Sequence, residues 1–149
     1  MRLRPLTAPL ADADWEHVLS CLAELNERIR ELEEPLRAFL REQLGQSWPR
    51  ILVIETAAGE RAGLITLNRF SMPRYAGFGF EIEEIVVLAG FRGKGLGRLA
   101  MQALERELRA EPLARKVVVR TNGPDAARLY RSLWQEAEIQ TFQCFLNKI

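Results

Sequence analysis

The sequence predicts a mixed α/β fold, a mostly antiparallel sheet flanked by about four helices. Three observations carry that expectation. Two helical patterns come first, three β-rich runs follow in succession between residues 50 and 88, and a glycine-rich junction then leads into helix, strand, helix and strand. A chain of 149 residues, 48% apolar and 28% charged, can bury one core and has no room for a second, so residues 1–149 are expected to form a single domain.

Each element has its own reason. MRLRPL suits a short edge strand, because Pro5 removes a ladder donor. Trp15, Val18, Leu19, Leu22, Leu25, Ile29 and Leu32 keep helical spacing, with Asp12 or Asp14 as cap and Pro35 as the stop; PLRAFLREQLG then reads as a second helix ending near Gly45. RILVIET (50–56) and AGLITLNRF (62–70) suit a hairpin closed by AAGER, SMPRYAGFG (71–79) reads as a loop, and FEIEEIVVL (80–88) is the third strand of the run. After the glycines, Leu96, Leu99, Ala100, Ala103, Leu104 and Leu108 mark one helix face. RKVVVRT (115–121) is a strand, Pro124 opens a helix burying Ala126, Leu129, Tyr130, Leu133 and Trp134, and EIQTFQCFL (138–146) closes the chain as a strand. The expected order is β-α-α-β-β-β-α-β-α-β, an antiparallel meander leading into one right-handed β-α-β crossover.

Composition narrows the function. Lys and Arg number 21 against 20 acids, and a net charge of +1 gives no general attraction to nucleic acid or membrane. No stretch reaches the ~20 apolar residues of a spanning helix, and the N-terminus has no cleavage-site pattern, so a cytoplasmic protein is expected. Cys21 and Cys144 lack metal or redox spacing, His17 stands alone, and no metal site is expected.

The junction at residues 92–98 carries the chemistry. Helix N-termini present N–H groups without internal acceptors, and the helix dipole adds positive charge there, so such a site attracts anions. Gly93, Gly95 and Gly97 let the main chain approach a ligand closely, while Arg92, Lys94 and Arg98 place cations around it. A pyrophosphate fits this description. The nucleoside-triphosphate loop G-x-x-x-x-G-K-S/T fails, because Leu96 and Gly97 follow Gly95. GLGRLA (95–100) matches the dinucleotide pattern G-x-G-x-x-G/A, with Arg120 placed for a 2′-phosphate, yet a run of three strands leads into it where such a fold expects the loop after its first strand.

The segment Glu84 to Gly97, EIVVLAGFRGKGLG, resembles the signature of the GNAT superfamily of acetyl-coenzyme A-dependent N-acetyltransferases, whose central motif is R/Q-x-x-G-x-G/A. Arg92, Gly95 and Gly97 satisfy it. NGPDAARLYRSL (122–133) resembles the family's alanine-rich helix carrying a tyrosine, here Tyr130. The likeness is strongest from residue 81 to 133. It implies a GNAT-like fold with splayed fourth and fifth strands, acetyl-CoA as co-substrate and transfer of an acetyl group to a primary amine of a small molecule or peptide.

The same resemblance assigns roles. Glu84 is the implied general base and Tyr130 the implied acid for the departing thiolate. Main-chain groups near Val86 and Val87 would hold the carbonyl oxygen and pantetheine arm, and residues Arg92, Gly93, Lys94, Gly95, Leu96, Gly97 and Arg98 the pyrophosphate. Asn122 stands one position earlier than the family's cofactor-contacting asparagine, and LWQ (133–135) replaces its usual Gly-Phe pair. Glu83 is a rival base, because a bulge common in this fold would change which acid faces the site; Glu81 is the third acid of the run. The acceptor wall is expected from Glu31 to Arg37, Arg69 and Ser71 to Gly79; Glu31, Glu33 and Glu34 suit a cationic amine, and Phe70, Tyr75 and Phe78 an apolar or peptide one. A non-catalytic acyl-CoA-binding module is the alternative reading, and the terminal strand at a sheet edge suits a homodimer.

Overall fold

A computed structural model describes residues 1–121 and 123–138. Its elements are β1 (Arg2–Pro5), α1 (Asp12–Leu25), α2 (Glu33–Leu44), β2 (Arg50–Glu55), β3 (Arg61–Met72), β4 (Gly77–Val87), α3 (Leu96–Ala110), β5 (Ala114–Val119) and α4 (Pro124–Arg131). The strands form one sheet in the order β1-β2-β3-β4-β5. The first three pairings are antiparallel and β4–β5 is parallel, which requires the crossover through α3. This is the GNAT-like α/β fold that the sequence implied.

Helices cover both faces. On one, Trp15, Val18, Leu19 and Leu40 from α1 and α2 pack over Ile51, Val53, Leu64 and Val86. On the other, Ala100, Met101, Leu104 and Leu108 from α3 pack over Leu52, Ile54, Ile65, Leu67, Phe80 and Ile82. Alternate residues of β2 and β3 therefore serve opposite cores, and these strands read as continuous apolar runs because neither face meets water.

Three expectations need correcting. The first helix stops at Leu25, not Leu32: Asn26 takes an extended conformation (φ −154°, ψ 108°), its side chain accepts from the Arg28 N–H, and a 3-10 segment covers Glu27–Leu32. The second helix starts at Glu33, two residues before Pro35, since proline is tolerated in a first turn. The expected loop 71–79 is mostly strand, because the hairpin pairs as far as Met72↔Gly77. Its tip is only residues 73–76, closed by Ala76 in the left-handed region (φ 45°). Gly77 and Gly79 make the extension sterically feasible: a Cβ would lie 2.3 Å from the Leu113 carbonyl oxygen in one case and 2.2 Å from the Phe70 ring in the other. The terminal strand 138–146, with Cys144, falls almost wholly outside the described residues, as does Asn122.

Candidate active site

The site begins with an irregularity in β4. Thr66 pairs with Glu84 but Leu67 pairs with Ile82, so Glu83 is an extra residue, a β-bulge. Phe80 and Ile82 face α3 before it, and Val86 faces α1 after it. Alternation from Val86 puts Glu84 on the α1 side, the same side as Thr66.

The bulge also marks where the sheet opens. β5 pairs with β4 from Phe78↔Ala114 to Ile82↔Val119 and no further among the described residues, so Glu83–Val87 borders a gap. The Leu88 N–H bonds to the Ala62 carbonyl of β3 at 2.9 Å. By alternation Val86 turns its N–H and C=O toward β3, while Ile85 and Val87 turn theirs to the open side.

The three acids on this strand differ sharply. Glu81 is engaged by Arg120, and Glu83 is exposed. Glu84 is half-buried, with its N–H donating to the Thr66 hydroxyl at 2.9 Å and its carboxyl accepting from that hydroxyl. Burial first, and the Glu83 charge second, hold the Glu84 carboxyl above its ordinary value of 4.5.

Past Val87 the chain makes a 3-10 turn over Ala89–Phe91 and enters the glycine junction. Gly93 (φ 76°) and Gly95 (φ 75°) are left-handed, and Gly95 is the N-cap of α3. A Cβ on Gly90, Gly93 or Gly95 would meet no atom within 4 Å, so these residues border open space beside the free N–H groups of the first turn, Leu96, Gly97 and Arg98. Space, positive dipole and free donors together suit an anion. The cations serve in part as ties. Arg92 donates to the Val87 carbonyl (2.8 Å) and pairs with Glu24 of α1 (2.7 Å), and Arg98 donates to the Ser132 hydroxyl after α4 (2.7 Å). Lys94 lies 3.4 Å from the Gly90 carbonyl oxygen, over the Phe91 ring.

Tyr130, on α4, is half-buried against the α3-side core, and desolvation pushes its phenol above the ordinary value of 10. The preceding residue, Leu129, would be 3.5 Å from a Cβ on Gly97, and Val87 4.0 Å, so α4 closes over the junction where β4 delivers the chain.

An open cleft of about 700 Å³ adjoins this junction, lined by Ser20, Glu24, Asn26, Glu27 and Arg30 together with Leu88. Neither Glu24 nor Thr66 stands out in the sequence, since each gains its role from a partner far along the chain. The expected acceptor residues are dispersed. Glu33 accepts from the Trp15 indole (3.3 Å), Arg37 lies over that ring, and Arg69 sits between Trp48 and Phe78. Phe70, paired with Gly79, is five residues from Glu84, roughly 16 Å along the strand at ~3.3 Å per residue. Among the described residues no group of acids, histidines and cysteines could hold a metal, and no helix is long and apolar enough to cross a membrane.

An open-sheet α/β fold with a bulged, acid-bearing strand running into a glycine-rich helix start is the arrangement that the GNAT resemblance implies. Residues 14–133 match the acetyltransferase (GNAT) family model, and the chain belongs to that family. No curated protein matches the sequence. Solved structures similar in fold include a ribosomal-protein-alanine N-acetyltransferase from Brucella melitensis biovar Abortus 2308 (16% identity, 98% of this chain and 99% of that one, TM-score 0.77). Others are an aminoglycoside acetyltransferase from an uncultured soil metagenomic sample (18%, 98% of each, 0.73) and a Trypanosoma brucei acetyltransferase (23%, 97% and 99%, 0.71).

Proposed function

We propose that this protein is an N-acetyltransferase that moves an acetyl group from acetyl-CoA to a primary amine by direct attack, without an acyl-enzyme. The observation that carries the reading is Glu84, a half-buried carboxyl with a raised proton affinity, at the point where β5 leaves β4. From there an open strand edge runs to an anion-ready helix start. Of the similar solved structures, one is named a ribosomal-protein-alanine N-acetyltransferase and another an aminoglycoside acetyltransferase, and the first supports an amine acceptor here.

The residues present fit the coenzyme. Gly93, Gly95 and the first turn of α3 would hold its pyrophosphate, and the outward groups of Ile85 with the Val87 N–H its pantetheine arm, the Val87 carbonyl being taken by Arg92. When bound, the coenzyme supplies an activated acetyl thioester. Glu84 would take a proton from the amine as it attacks the acetyl carbon, and Tyr130 would give its proton to the departing sulfur. The products are an amide and a free thiol. The raised Tyr130 phenol suits an acid, because it stays protonated at neutral pH.

The test is calorimetry of acetyl-CoA binding to the wild type and to Gly95→Glu, with NADPH as control ligand, followed by a thiol-release screen over small amines and peptide N-termini. Binding abolished by the substitution and thiol release lost in Glu84→Gln are expected. A chain that binds NADPH and no acetyl-CoA would overturn the proposal.

A further inference from the structure

Thr66 meets Glu84 at two points beside the bulge. At the register shift the Thr66 hydroxyl oxygen accepts from the Glu84 N–H at 2.9 Å. A hydroxyl has one hydrogen to give. With its oxygen turned to that N–H, its hydrogen is directed to the Glu84 carboxyl, the partner it in fact meets. One side chain on β3 therefore holds both the backbone and the carboxyl of the same β4 residue.

We propose that Thr66 is a positioning residue for Glu84, its hydroxyl fixing the carboxyl on the α1 side of the sheet with one oxygen committed and the other free to take a proton. This rests on the reading of Glu84 as base. The hydroxyl is also well placed to temper the electrostatics. Burial and Glu83 favour the neutral carboxyl, whereas an O–H donor favours the carboxylate. Other charges nearby are committed: β3 opposes Glu84 with uncharged Thr66, β5 pairs no further than Ile82 among the described residues, and on α1 His17 is tied to the Gly63 carbonyl and Glu24 to Arg92. A serine would do the same work, and a valine of the same shape would not.

The experiment is a pH titration by NMR of carboxyl-labelled glutamates in wild type, Thr66→Val and Thr66→Ser, with Glu84 assigned by the signal absent from Glu84→Gln. Loss of the donor should raise the Glu84 midpoint by about one pH unit, tenfold in proton affinity, and serine should restore it. The acid limb of thiol release, measured with any amine the screen identifies, should move with it. An unchanged midpoint in Thr66→Val would overturn the inference. A shifted midpoint that the activity limb ignores would leave Thr66 as the holder of Glu84 and remove Glu84 as the base, so the two claims fail separately.

Discussion

Glu84 sits under two pressures of the same sign, desolvation and the neighbouring Glu83 charge, and both keep its proton on. In the role proposed for it, as base, Glu84 works only once it has ionised. The acid limb of kcat/KM is therefore expected above the ordinary carboxylate value of 4.5, and Glu84→Gln should erase it while cutting kcat about 100-fold or more and leaving acetyl-CoA affinity within about twofold. Tyr130→Phe should lower kcat with coenzyme affinity equally preserved, the signature of a group acting at the transition state. Steady-state rates against pH, beside calorimetry of each variant, check both.

At the scale of elements, the β4–α3 junction combines a strand that must stay extended with a loop that must turn left twice. Gly95 needs its φ of 75°, and an added Cβ would project into the open space proposed for the pyrophosphate. Gly95→Ala should weaken acetyl-CoA binding at least tenfold while changing the melting temperature by only a few degrees, because the strain costs about 1 kcal/mol and no packed atom is displaced. This junction was legible in the sequence: alternating glycines after a β-branched run can be read locally, since the backbone itself dictates them. So was the helix after it, whose apolar residues recur on one face. The extent of β3 and β4 beyond residue 70 was hidden, because the residues that permit it, Gly77 and Gly79, look like turn residues until the atoms they pass are known. The tie from Arg92 to Glu24 spans 68 positions and carries no local signature at all. Thr66 reads merely as a strand residue until a one-residue register shift sets it opposite Glu84.

Across the whole molecule, the α1 side of the sheet concentrates buried ionisable groups that resist acid in stages. His17, 7% exposed, donates from Nε2 to the Gly63 carbonyl oxygen at 2.9 Å, and desolvation holds its pKa below 6.5. The unfolded chain takes up that proton first, so stability is full above pH 6.5 and falls as pH drops toward the folded value. Glu55, 5% exposed, is held by Arg2 and Arg4 at 2.5 Å each, and Asp14 by Arg4 at 2.6 Å; hydrogen bonds from Arg4 chiefly keep both carboxyls below their ordinary values. Their contribution is present above about pH 4.5 and is lost as pH falls through the lowered values. Glu84 runs the other way, since its raised value makes the unfolded chain the stronger acid. Denaturant melts from pH 8 to pH 3 should show an early decline that His17→Gln removes, then a steeper one that Glu55→Gln blunts.

The bulge has one more implication. Removing Glu83 would set Ile82 and Glu84 side by side, and the facing of every residue before and after would survive, Ile82 toward α3 and Glu84 toward α1. Such a chain, one residue shorter, should keep both cores. What it would lose is the bend that accompanies a bulge, at the point where β5 stops pairing with β4. The deletion is therefore expected to draw β4 and β5 together past Ile82 and close the opening.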